Sequence, residues 1–205
     1  MTKKSVTVDD FERDRLVYEP LTQSVRRLID ATIRTEIDRD TIARAHALID
    51  EAADVLSRQI MPSSFGVRHM EDGRSFAWGN LAVGLRNPIA PPLVVTRDPT
   101  GSVRCDVDLG AAYEGPPGCV HGGMCALILD HLLGATAHRP GEPAFTGTIT
   151  FRYLQPTQLG PLHAEARVDR HDGGKTYAIG HVADANGVTV EAEGVFIRPR
   201  PKTRG

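Results

Sequence analysis

A glycine-rich turn followed by an apolar segment contains the residues of this sequence best suited to chemistry. The turn reads GPPGCVHGG at positions 115–123, and the apolar segment continues through positions 124–135. A segment that is apolar nearly all round predicts a buried helix. The backbone amides of Gly122 and Gly123 would lie at its positive N-terminal end, where they could stabilise an oxyanion.

One carboxylate, Asp130, lies within this apolar segment, with His131 beside it. Burying a carboxylate costs several kcal/mol unless it is compensated, so its position in this segment requires an explanation. Amides aimed at a developing negative charge and a nearby acid are the components of acyl-transfer chemistry. A tight turn before a helix and a capping aspartate would explain the same residues without catalysis, so this segment alone leaves both interpretations open.

The composition favours one domain with an accessory segment. The chain has 205 residues, 40% of them hydrophobic, which is enough for a core, and its net charge of -2 indicates no nucleic-acid partner. No apolar run is long enough to span a bilayer, and the N-terminus lacks the apolar core of a signal peptide. The three cysteines lack metal-ligand spacing, so we expect a reduced, cytoplasmic protein without a metal.

The first third of the chain predicts helices. Residues 1–20 are polar and are interpreted as a loosely held lead-in. Apolar residues recur with helical spacing over 21–35 and 40–60, with Asp40 as the expected N-cap of the second helix and Pro62 as its stop. These helices form a predicted N-terminal extension, residues 1–62, which we expect to cover a sheet edge or a binding cleft.

The remainder, residues 63–205, predicts a second region in which a sheet surrounds the helix. Residues 63–93 are rich in glycine, proline and asparagine, which is typical of a loop. Strand patterns follow at 93–96 and 103–109 before the helix, and at 145–154, 162–170, 175–183 and 188–198 after it. An antiparallel sheet wrapped around one long buried helix, with two additional N-terminal helices, is an α+β fold.

Two segments together resemble a known family. The GPPGCVHGG turn followed by Asp130, and TGTITFRYLQP at 146–156, are similar to the hotdog-fold acyl-CoA thioesterases, in particular the phenylacetate-pathway type and its long-chain relatives. The resemblance covers about residues 87–198. It implies a hotdog fold and an enzyme of fatty acid metabolism that hydrolyses a fatty or aryl acyl-CoA to the free acid and CoA, without a cofactor.

The resemblance also implies roles for five residues. The amides of Gly122 and Gly123 would form the oxyanion hole within the turn that His121 begins, and Asp130 would act as base or nucleophile. Thr146 would position the water or the acid. From its residue type alone, the side chain of His121 is better explained as fixing the turn by a hydrogen bond than as transferring a proton.

The spacing of these residues predicts a site shared between chains. Gly123 and Asp130 are seven helical residues apart, about 10 Å, which is too far for both to reach one carbonyl at roughly 3 Å. We therefore expect a homodimer, or a dimer of dimers, in which the acid of one chain meets the turn of another.

Candidates for binding CoA are Arg170, Gly174, Lys175 and the basic residues of the tail at 198–204, because cations near a turn can hold phosphates. A solvated turn and tail explain them equally well. Two other functions are considered: a non-catalytic acyl-CoA-binding hotdog protein, which has no need of Asp130, and a hotdog hydratase or dehydratase, whose acid–histidine arrangement is not found. Acyl length and pathway are not predicted.

Overall fold

The computed structural model describes residues 5–138 and 144–198, and it forms two compact units, Met1–Ala90 and Pro91–Gly205. The division into these two units follows Ala90, whereas the sequence suggested an extension that ends at residue 62. Residues 199–205 of the basic tail considered for CoA binding lie outside the described residues. No helix of the described part has the length and apolarity needed to cross a bilayer.

The first unit contains two helices, α1 (Val8–Arg34) and α2 (Arg39–Ser57). The expected lead-in is wrong, because α1 begins at Val8 and continues through Pro20. The hydroxyl of Thr7 caps this helix by accepting the Asp10 amide at 3.0 Å. The cap of α2 is Asp38 and not Asp40: its carboxylate accepts the amides of Asp40 and Thr41 at 3.0 and 2.9 Å.

An aromatic cluster joins residues 63–90 to α1. The ring of Phe11 lies 4.9 Å from that of Phe76 and 5.2 Å from that of Trp78, and the Arg86 guanidinium lies 3.7 Å over the ring of Tyr18. A short antiparallel hairpin, β1 (Arg68–His69) and β2 (Ser75–Phe76), belongs to the same region. This packing is the physical reason that residues 63–90 belong to the first unit.

The second unit is built on one six-stranded antiparallel sheet in the order β3-β4-β6-β7-β8-β5. Its strands are β3 (Thr96–Arg97), β4 (Val103–Leu109), β5 (Phe145–Tyr153), β6 (Gly160–Asp172), β7 (Lys175–Asp184) and β8 (Gly187–Ile197). The predicted antiparallel sheet is confirmed. The first strand begins later than expected because the Leu93 amide bonds to the carbonyl of Pro91 instead of joining a ladder.

Helix α3 (Gly122–Ala137) packs against this sheet and supplies much of the core. Four of its side chains, Ile128, Leu129, Leu132 and Leu133, are fully buried. Each such burial contributes about 1.5–3 kcal/mol. The strands face the helix with alternate residues, as in β4, where the residues at 103, 105, 107 and 109 are buried and those between them exposed. The predicted α+β fold with a central helix is confirmed.

One face of α3 is open, which differs from the expectation that the helix is buried all round. Gly123 and Asp130 are exposed, and Leu127, His131 and Gly134 are half-buried. These positions recur every three or four residues, so they lie on one side of the helix. In the single chain, therefore, Asp130 is not a buried carboxylate. The sequence did not reveal this face, because Gly123, Leu127 and Gly134 on it are small or apolar, as residues of the core are.

We expect Leu129→Ala to lower the free energy of unfolding by about 2–5 kcal/mol, because the side chain is fully buried and its removal leaves a cavity. Denaturant unfolding measures this loss. Leu16→Ala is the control, since Leu16 is 74% exposed on α1, and its effect should stay within about 0.5 kcal/mol. Equal losses in the two variants would contradict the assigned core.

Candidate active site

The turn that precedes α3 is held by its own hydrogen bonds. The amide of Gly115 donates to the carbonyl of Cys119 at 2.9 Å, and the amide of Cys119 donates to the carbonyl of Pro116 at 2.9 Å. Gly118 has a φ of 73°, a left-handed conformation that favours glycine, and its amide donates to the Glu114 carboxylate at 2.7 Å. The chain therefore enters α3 from a fixed direction.

His121 is the N-cap of α3, and its ring nitrogen Nδ1 accepts the amide of Gly123 at 3.0 Å. This bond fits the turn-fixing role expected from its residue type. It also distinguishes the two glycines. The amide of Gly123 is occupied by the ring, whereas no described residue accepts a hydrogen bond from the amide of Gly122. Gly122 thus presents the unpaired amide of the first helical turn.

Asp130 and Thr146 are brought together by α3 and β5. The hydroxyl of Thr146 donates to Oδ1 of Asp130 at 3.2 Å. A β-bulge makes this contact possible, since the pairing with β8 shifts between Thr146 and Thr148 and leaves Gly147 as the additional residue. Bulges beside functional sites commonly re-aim a neighbouring side chain.

Gly147 has a steric reason to be glycine. A Cβ there would lie 2.9 Å from the Ile197 side chain and 3.1 Å from the carbonyl oxygen of Val195. A larger residue would therefore press on the backbone of β8 and displace the bulge. The orientation of Thr146 toward Asp130 depends on this close approach.

An open cavity of about 760 Å³ adjoins Asp130, lined by Arg97, Asp130, His131, Gly134, Ala135, His138, Ala144 and Thr146. Arg97 was not found from the sequence. Its guanidinium donates to the carbonyl of Ala135 and, at 3.0 Å, to that of Gly101. The first of these bonds places a cation near the C-terminal end of α3, where the helix dipole favours positive charge. Because both acceptors are backbone carbonyls, no side-chain pattern in the sequence could indicate them.

The two halves of the expected site lie apart within one chain. Gly122 and Asp130 are eight residues apart on one continuous helix, about 12 Å along its axis. The neighbours of each half are different: Thr146 contacts Asp130, whereas the hydroxyl of Tyr153 donates to the Gly122 carbonyl at 3.0 Å. Tyr153 was also not singled out from the sequence, although it lies in the second resembling segment.

The residues considered for CoA lie at the hairpin between β6 and β7. The guanidinium of Arg170 pairs with Asp169 at 2.8 Å and stacks 3.9 Å over the ring of Tyr177. Lys175 pairs across the sheet with Ile197, which in turn pairs with Phe145, so the hairpin and Thr146 share one end of the sheet. Strands β7 and β5, which carry Lys175 and Thr146, are two strand spacings apart, about 10 Å. Gly174 precedes Lys175 in the turn.

Within the described residues, no group of three or more His, Cys, Asp or Glu side chains could hold a metal. The cysteines there are free thiols, and burial raises the pKa of Cys105 to about 11. Burial also lowers the pKa of His131 below its usual range, while the neighbouring Asp130 carboxylate opposes part of that shift. The imidazole beside the acid is therefore held toward its neutral form.

We expect the protein to lose stability as the pH falls, partly through His131. Its folded-state pKa lies below the unfolded value of about 6.5, so below that pH the unfolded chain binds a proton that the folded chain does not. The free energy of unfolding should therefore decrease between about pH 7.5 and 5.5, and His131→Gln should make the decrease smaller. Urea unfolding measures both slopes, and identical slopes would contradict this role.

The Thioesterase superfamily sequence model matches residues 117–190. Acyl-coenzyme A thioesterase THEM5 of Homo sapiens is 31% identical over 97 residues, 46% of this chain and 39% of that protein. Acyl-coenzyme A thioesterase THEM4 of Xenopus laevis is 30% identical over 100 residues, which cover 47% of this chain and 45% of that protein. The chain thus spans less than half the length of these curated relatives.

One solved structure is similar along almost the whole chain. It is the crystal structure of a thioesterase superfamily protein, 33% identical, with a TM-score of 0.78 over 88% of this chain and 90% of that chain. Both units of the present chain contribute to a match of this extent. With its antiparallel sheet around α3, this chain belongs to the hotdog-fold thioesterase superfamily.

Proposed function

We propose that this protein is an acyl-CoA thioesterase that hydrolyses a fatty or aryl acyl-CoA to the free acid and CoA. One observation carries the proposal: α3 presents the unpaired amide of Gly122 at its N-terminus and a threonine-bound acid, Asp130, on its open face. An oxyanion donor and an acid are the groups that thioester hydrolysis requires. The names of the THEM relatives support the same substrate class.

The amide of Gly122 acts as the oxyanion donor. As a nucleophile attacks the thioester carbonyl, negative charge develops on its oxygen, and a pre-aimed amide lowers the barrier by several kcal/mol. The α3 dipole adds positive potential at the same point. Gly123 plays a different part from the one the sequence suggested, because its amide is already held by His121.

Asp130 activates the attacking group. It either removes a proton from water as the water attacks the carbonyl, or attacks first to form an anhydride that water then hydrolyses; CoA leaves as its thiol in both cases. Thr146 holds one carboxylate oxygen, Oδ1, and leaves Oδ2 as the oxygen that reacts. The arrangement fixes the direction of the acid in either mechanism.

The complete site is shared between two chains of a homodimer, which can associate further as a dimer of dimers. The separation of about 12 Å along α3 prevents Gly122 and Asp130 of one chain from reaching the same carbonyl. Among the described strands, β5, which carries Thr146, comes last in the order, so one of its edges has no neighbouring strand. Such an edge is a template for pairing with another chain.

The hairpin between β6 and β7 binds the phosphates of CoA through Lys175 and the amides around Gly174. Among the described residues Lys175 forms no ion pair, whereas Arg170 is paired with Asp169 and stacked on Tyr177. We therefore assign the first phosphate contact to Lys175 and a supporting one to Arg170. Both cations lie at the Thr146 end of the sheet.

We expect Asp130→Asn to fold normally and to lose at least about 10²-fold in turnover, because the amide can neither accept the proton nor attack the carbonyl. Free-thiol release from a panel of acyl-CoAs measures the turnover. Asp108→Asn, at an exposed position of β4, is the matched control and should retain wild-type rates. If the wild-type protein bound acyl-CoA but did not hydrolyse it, the protein would instead be a non-catalytic acyl-CoA-binding protein.

We expect two inactive variants to restore activity when they are combined in one dimer. Gly122→Pro removes the proposed oxyanion amide at the first helical position, which tolerates proline, and His121 already has the extended backbone that a following proline requires. In a mixed dimer with Asp130→Asn, one of the two sites receives both an intact acid and an intact amide.

Co-expression with two different affinity tags isolates this mixed dimer, and thiol release from it should approach half the wild-type rate. Gly122→Ala retains the amide while adding the same Cβ, so it separates the loss of the donor from crowding. An inactive mixed dimer of proven composition would argue that each site lies within one chain.

A further inference from the structure

We propose that Tyr153 is a positioning residue that, together with His121, fixes the peptide between Gly122 and Gly123 and so keeps the neighbouring amide of Gly122, the proposed oxyanion donor, in its direction. The inference deepens the proposed function and depends on it for its catalytic meaning. Nothing in the resemblance pointed to this tyrosine. What points to it is the pair of hydrogen bonds on one peptide unit.

The peptide that joins the two glycines is bonded on both edges. Its carbonyl, from Gly122, accepts the hydroxyl of Tyr153 at 3.0 Å. Its N–H, from Gly123, donates to Nδ1 of His121 at 3.0 Å. In a planar trans peptide the carbonyl and the N–H point in opposite directions, so these bonds restrain rotation of the unit from two sides.

Glycines make such a restraint necessary. Two consecutive residues without a Cβ have a wide choice of backbone angles, and a rotated peptide would change the φ and ψ angles around Gly122. The amide of Gly122 must point at the developing oxyanion within about 2.7–3.1 Å to be effective. The two bonds therefore preserve the direction of a donor that they do not touch.

The same contacts explain why both positions are glycine. A Cβ at Gly122 would lie 3.2 Å from Cε1 and 3.5 Å from Cζ of the Tyr153 ring. A Cβ at Gly123 would lie 3.1 Å from Nδ1 of His121. A side chain at either glycine would therefore press on the residue that bonds there, and glycine allows the closest approach.

Tyr153 is suited to remain a hydrogen-bond donor. Partial desolvation, and to a smaller extent the neighbouring Cys125, raise the pKa of its phenol further above neutral pH, where the hydroxyl already keeps its proton. Tyr153 is the last residue of β5, and the bond thereby connects the end of an edge strand to the start of α3. A tyrosine that only packed there would keep all its ring contacts as phenylalanine.

The test is Tyr153→Phe in the whole chain, which removes the hydroxyl and retains the ring. We expect kcat for acyl-CoA hydrolysis to fall roughly 10-fold while KM changes by less than about 2-fold, because the donor loses its alignment but the substrate contacts remain. In amide NMR spectra, the resonances of Gly122 and Gly123 should shift and hydrogen exchange at Gly123 should accelerate.

Tyr18→Phe is the matched control, since Tyr18 contacts Trp78 and Arg86 through its ring in the first unit. It should leave the kinetics and both glycine resonances unchanged. A second pair tests the opposite edge of the peptide: His121→Asn keeps an N-cap acceptor for the Gly123 amide and should retain slow exchange, whereas His121→Ala should lose it. If Tyr153→Phe does not fold, the comparison of His121→Asn with His121→Ala still tests whether this peptide must be held.

The outcomes separate this inference from the proposed function. If wild-type protein hydrolyses no acyl-CoA, the proposed function fails, and the two hydrogen bonds on the Gly122–Gly123 peptide have no catalytic role. If wild-type protein is active and Tyr153→Phe retains its kcat, Tyr153 is not a positioning residue. A rise in KM alone, or a loss of kcat without any change at Gly122 and Gly123, would assign Tyr153 to direct substrate contact and overturn the inference.

Discussion

The packing of α3 against the sheet is the constraint on which the site depends. Four fully buried side chains, Ile128, Leu129, Leu132 and Leu133, hold the helix in place, and the groups proposed for catalysis lie at fixed heights along it. Because an α-helix rises 1.5 Å per residue, the separation of about 12 Å between Gly122 and Asp130 is too large for a side-chain movement to close. A continuous, well-packed helix therefore requires a second chain to complete the proposed site.

The sequence predicted the fold where local pattern and tertiary packing agree. The alternation in β4 corresponds to its buried and exposed sides, and the apolar run of α3 corresponds to the core. It failed at α1, where polar composition and Pro20 concealed a helix that Thr7 caps. The extent of the first unit also cannot be read from local pattern, because contacts such as that of Phe11 with Trp78 join residues far apart in the chain.

The candidate site shows the same division. Asp130 and Thr146 could be found because each is a distinctive side chain in a resembling segment, and their contact follows from the bulge at Gly147. Which glycine amide is unpaired could not be found, since this depends on where the ring of His121 points. Arg97 and Tyr153 were also missed: they bond to backbone carbonyls, which every residue carries and no motif records.

Strand β5 links the two halves of the proposed site. Thr146 near its start contacts Asp130, and Tyr153 at its end contacts Gly122, so the strand runs antiparallel to α3 and supports both groups. If a second copy pairs with the free edge of β5 about a two-fold axis, the start of one strand lies beside the end of the other. The acid with its threonine would then meet the partner's glycine turn with its tyrosine, and neither helix would have to move. The edge strand proposed to form the dimer would then also set the alignment of the groups proposed for catalysis.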